Sequence, residues 1–202
     1  TSAGNNAPTL PVLLSNLSMC YLNLEETEQA EKLAKEAFDK AKALNLSIKD
    51  ISYRVCLDNL SAILVEQKKF KEAIENFEST LNQEDKNYPN YWQKQIELAK
   101  VYLMDNQCKK AAALLEEASK KIKTFYGKDN PDYIDALNSL IIAQKCEKQY
   151  GEVIKNVKQA NELTKQQLVK QFSFSTSDLK RIFLAEIEAS FNIYESINFD
   201  NP

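Results

Sequence analysis

Four cysteines, scattered acidic pairs and no histidine are the raw material for chemistry in this chain of 202 residues. Without histidine the segment has no Ser-His or Cys-His nucleophile, no His-ligated zinc or haem, and no imidazole acid–base group. Cys20, Cys56, Cys108 and Cys146 stand 36, 52 and 38 residues apart, with no Cys-x-x-Cys pair, so no metal site is expected. They read as four small buried thiols held in a reducing intracellular compartment, such as the cytoplasm. Glu25-Glu26 and Glu116-Glu117 are adjacent pairs. Neighbours on a helix point about 100° apart, so these carboxylates belong to solvated faces rather than one site. Gly4, Gly127 and Gly151 stand alone, which leaves no glycine-rich phosphate loop. Lys120, Lys121 and Lys123 complement the end of a helix dipole. No catalytic constellation and no cofactor site emerges, and the expected role is non-enzymatic.

The elements that would position a site come next. Three glycines and five prolines exclude a turn-rich all-β chain. The net charge of −3, with Arg54 and Arg181 the only arginines among 26 basic residues, argues against nucleic acid. No apolar run of membrane-spanning length is present, so no membrane insertion is expected. The chain begins at Thr1 rather than methionine and reads as a fragment. Apolar spacing predicts helices near 10–24, 27–45, 48–67, 70–83, 89–104, 107–125, 131–147, 150–172 and 177–198, with Thr27 as N-cap of the second.

These helices repeat. Asn16-Leu17-Ser18 returns as Asn59-Leu60-Ser61. Equivalent packing slots hold Leu14, Leu17, Ser18 and Tyr21, then Leu57, Leu60, Ser61 and Leu64. They continue as Gln95, Leu98, Ala99 and Tyr102, then Leu137, Leu140, Ile141 and Gln144. Successive units are offset by 43, 38 and 42 residues. The second helix of each unit answers with Ala30, Ala34 and Ala37; Ala73, Phe77 and Thr80; Ala111, Leu115 and Ala118; and Val153, Val157 and Ala160. Small residues let the paired helices approach, larger ones fill between pairs, and only a stack of pairs buries every apolar face.

The pattern resembles the tetratricopeptide repeat. The long period and Tyr126-Gly127-Lys128-Asp129-Asn130-Pro131 are similar to the variety found in kinesin light chains, with Asn130 in place of a histidine. Gly127 suits a left-handed helix end, and Asn130 an N-cap before Pro131. The resemblance implies an all-α fold: a right-handed α-solenoid of about four helix pairs plus a C-terminal capping helix. The expected organisation is a tail at 1–9, an array at 10–172 with units near 11–45, 48–83, 89–125 and 131–170, and a cap or connector at 173–202.

Function follows from the resemblance, not from any reactive group. It implies a protein-interaction scaffold that takes a peptide or helix in a concave groove. The inner positions give Val12, Ser15, Asn16, Met19, Leu22, Asn59, Ala62, Val65 and Lys100 as groove residues. Asn16 and Asn59 serve either a ligand backbone or the neighbouring helix. The clamp with which some such domains grip chaperone carboxylates is not matched, because Ser15 and Met19 occupy its lysine and asparagine positions. Self-association through the groove or the C-terminal helix is a further expectation. Phe172, Phe174, Ser177, Asp178, Phe191 and Ser196 resemble the connector of repeat proteins that carry a CHAT domain, a caspase-like peptidase. The alternative reading is therefore the regulatory arm of a larger protease whose catalytic domain is not in this chain.

Overall fold

Small side chains at helical spacing decide how these helices meet. The computed structural model describes residues 9–83 and 89–171, which form eight helices and no strand. In chain order they are α1 (Thr9–Asn23), α2 (Thr27–Ala43), α3 (Ile51–Glu66), α4 (Phe70–Leu81), α5 (Pro89–Met104), α6 (Cys108–Tyr126), α7 (Pro131–Cys146) and α8 (Tyr150–Gln171). The expected helix at 177–198 and the Phe172–Ser196 connector lie outside the described residues. The chain divides into two compact units, Thr1–Ala118 and Ser119–Pro202, with the division inside α6.

In the first unit α2 packs against α1 and α3, α3 also against α1 and α4, and α4 against α5. Ala30, Ala34, Ala37 and Ala41 are wholly buried along one stripe of α2. With no side chain beyond Cβ, they let the flanking helices close in. Leu14, Phe38, Leu46 and Tyr53 pack around Ala37, Ala41 and Cys56. The Phe38 and Tyr53 rings lie 5.0 Å apart and tilted, and the Lys42 ammonium sits 4.0 Å from the Phe38 ring centre. The second and third pairs bury every residue that the repeat register assigns to packing, from Leu57 to Thr80 and from Gln95 to Ala118. The first pair departs from the register. Ser18 is buried, but Leu17 is 44% exposed, because no described helix covers that side of α1.

In the second unit α8 packs on α7. Asn130 caps α7 as expected. Its side chain accepts from Asp132 N–H at 2.8 Å and Tyr133 N–H at 3.4 Å, with Pro131 following. Gly127 has φ 81°. Leu137, Leu140, Val153, Val157 and Ala160 are buried. Gln144, where other units carry a larger apolar group, is buried too, and its Oε1 accepts from Asn156 Nδ2 at 2.9 Å. The partner removes the cost of hiding that amide oxygen.

The turns within each pair repeat more strictly than the side chains do. Glu25, Lys68, Asn106 and Lys148 all adopt φ between 58° and 63°. Each ends the first helix of its pair in a Schellman motif. Glu26 N–H donates to Tyr21 O, Lys69 to Leu64 O, Gln107 to Tyr102 O and Gln149 to Gln144 O, at 2.8–3.0 Å. The N-cap of α2 is consequently Glu26, not Thr27, and it makes no side-chain cap bond. The turn is so tight that Thr27 is already helical. Asn45, at φ 56°, ends α2 in the same way, two residues earlier than the apolar spacing predicts. A turn follows in which Ser47 N–H donates to Asp50 Oδ2 at 2.8 Å, delaying α3 to Ile51.

Candidate partner-binding surface

The first helices of the pairs are joined by polar rungs. Asn59 Nδ2 on α3 donates to Ser15 Oγ at 2.9 Å and to Ser15 O at 3.3 Å on α1. Ser15 Oγ reaches Val55 O at 3.4 Å. On the next step Lys94 of α5 forms an ion pair with Asp58 of α3 at 2.7 Å. These bonds set α1, α3 and α5 side by side, with equivalent positions adjacent.

The residues expected to line the groove divide into three groups. Val12, Met19 and Leu22 on α1, Ala62 and Val65 on α3, and Lys100 on α5 are half-buried, leaving surface to solvent. Asn16 is exposed. Ser15 is wholly buried and spends its hydroxyl on α3, so it is a joint between helices and does not line an open surface. Asn59 uses its amide on that same joint, which is the neighbouring-helix role of the two considered for it.

Charge around α5 is more structured than the sequence indicated. Glu97 is exposed along part of its surface, yet surrounding protein pushes its carboxyl above the usual value. Lys94 and Lys100 oppose the rise and Asp58 adds to it. The Lys94–Asp58 pair joins side chains on two different helices, which a reading of single stripes does not show. Below this cluster Gln95 is buried and donates to Glu117 Oε2 at 3.1 Å. Tyr102 donates to Glu78, and its hydroxyl is pushed up, first by burial and then by that bond to a carboxylate.

The cysteines need a correction. Cys20 is an exposed free thiol, and Cys56 is a buried one whose thiol burial pushes up. Cys108 and Cys146 are each disulfide-bonded, so the expectation of four buried thiols fails. The reducing compartment inferred from four thiols loses that footing. Among the described residues no helix is long and apolar enough to cross a membrane, and no group of three or more cysteines and carboxylates is placed to hold a metal ion.

With this geometry in place, comparison with known proteins is specific about fold. The tetratricopeptide repeat family model matches residues 9–83. No curated protein matches the chain by sequence. Among solved structures, the nearly identical TPR-like repeats assigned to a kinesin light chain of Podosopora anserina align over 96% of this chain and 99% of theirs. Their TM-score is 0.73 at 16% identity. BtubC (BKLC) from P. vanneervenii aligns over 81% of this chain and 66% of its own, with TM-score 0.72 and 16% identity. At such identities the likeness is one of architecture. Residues 9–83 thus match the tetratricopeptide repeat family, the described residues are all helical pairs and turns, and the chain shares the fold of these kinesin-light-chain-like repeat arrays.

Proposed function

We propose that the chain is a non-catalytic scaffold that binds a peptide or helix of a partner protein along the inner side of α1 and α3. The observation that carries this reading is the half-buried apolar set Val12, Met19, Leu22, Ala62 and Val65. These side chains sit at equivalent positions of two helices that the Ser15–Asn59 bonds hold together. Apolar surface of this kind favours an amphipathic segment, whose affinity comes from a few seated side chains. Met19 and Leu22 seat the ligand, while Asn16 and Lys100 orient it. Asn59 holds the wall's spacing and leaves its carbonyl oxygen for a ligand N–H.

The test is Met19→Glu combined with Leu22→Glu. A pull-down with the native chain, read by mass spectrometry, defines the partner set, and the double variant should lose it while keeping its helical circular dichroism. Retention of the partners by a folded double variant would remove the inner side of α1 from consideration.

A further inference from the structure

One equivalent position of the first helices changes character between α3 and α5. Asn16, Asn59 and Glu97 are equivalent in the repeat register, separated by 43 and 38 residues. Ser15 and Asp58 are equivalent in the same way. Asn59 donates to Ser15 and so ties α3 to α1. At the next step the matching residues are Glu97 and Asp58, two carboxylates, which repel instead of bonding. Lys94 makes the tie in their place, reaching both oxygens of Asp58 at 2.9 and 2.7 Å. Glu97 is left over. Among the described residues it forms no hydrogen bond or ion pair, and Lys94 and Lys100 act on it only from a distance.

Glu97 is exposed, yet the protein around it holds its carboxyl above the usual value. A side chain open to water on one face and walled by protein on the others has both properties. Part of the carboxylate's dehydration is thus imposed by the fold, with no bonded cation in return. A positive group arriving there displaces less water than at a fully solvated acid, so the pairing is stronger. We infer that Glu97 receives a lysine or arginine side chain of the bound partner segment, beside the apolar side chains seated on α1 and α3. This rests on the partner reading above and adds the partner's chemistry: an amphipathic segment with a cation at the end that reaches α5. Asp58, whose charge Glu97 feels, shares one stripe of α3 with Ala62 and Val65, at spacings of four and three. α1 carries no charged residue. The attraction is therefore local to the α5 end and fixes which way the segment lies.

The probe is an array of synthetic amphipathic peptides with the same leucine spacing, differing only in whether their terminal turns carry lysine, glutamine or glutamate. The native chain should bind the lysine peptides about tenfold more tightly than the glutamine ones, and the glutamate ones least. Glu97→Gln should remove the lysine preference, and Glu97→Lys should turn it toward glutamate. Both should keep native helix content, because the side chain is exposed and holds no bond. Glu75→Gln, which takes the same charge from an exposed position on α4, should leave the preference intact. A lysine preference that survives Glu97→Gln, or that Glu75→Gln erases equally, would overturn the inference. Met19→Glu with Leu22→Glu separates the two readings. If this double variant binds every peptide as the native chain does, the inner side of α1 is not the binding surface. If it loses the peptides while Glu97→Gln changes nothing, the surface stands and only the cation is refuted. Binding of none of the peptides by the native chain would count against both.

Discussion

At the scale of single residues, burial and bonding separate side chains of the same type. Cys20 is exposed, Cys56 is buried and reduced, and Cys108 and Cys146 are oxidised. Thiol titration should therefore find one reactive group in the native protein and two after denaturation without reductant, and a count of four would refute the oxidation of Cys108 and Cys146. Glu31 is similarly individual. Its carboxylate accepts from Lys35 at 2.7 Å and Lys69 at 2.6 Å, and these bonds lower its pKa from 4.5 to about 2. A carboxyl with a depressed folded pKa stabilises the protein above its unfolded value and loses that contribution as pH falls. The Glu31 contribution, about 1 kcal/mol because both lysines reach water, should be full above pH 4.5 and vanish as pH drops through about 2. Denaturant melts should show Glu31→Gln less stable than the native chain at neutral pH, with the gap closing over that window.

At the scale of elements, much of the design could be read in advance and some could not, for physical reasons. Leu57, Leu60 and Leu64 facing Ala73 and Phe77 were legible because helical periodicity and residue size are both properties of the sequence. The same is true of Gly127 and Asn130, whose backbone preferences mark a helix end and a helix start. The turn residues Glu25, Lys68 and Lys148 were not legible, since neither glutamate nor lysine favours a left-handed backbone. Their conformation is imposed by the close joining of two helices. Ser15 was misplaced because a small polar residue at an inner position looks alike whether it faces water or a neighbouring helix. The packing reading has a direct check in Ala73, wholly buried on α4. Ala73→Leu should overpack the pair and cost about 1–3 kcal/mol in a denaturant melt. An unchanged midpoint would mean that the α3–α4 contact accommodates the larger side chain and that Ala73 does not set their approach.

On the scale of the whole chain, repetition is uneven in an informative way. The interval from the packing residue Tyr21, Leu64, Tyr102 or Gln144 to the residue that closes the turn is five in every pair. The second helices, by contrast, run to 17, 12, 19 and 22 residues. Length change is thus excluded from one kind of joint and admitted at the other. Two extra residues between Lys148 and Gln149 should break the closing bond to Gln144 and destroy cooperative melting of α7 with α8. The same insertion between Gly127 and Lys128 should lower the midpoint by only a few degrees, since longer surface loops add little closure entropy. Equal damage at both places would refute the distinction. For the gene, the fixed turn acts as punctuation. Insertions and deletions can accumulate between pairs without spoiling a pair, so a crossover falling there would add or remove a complete, foldable unit.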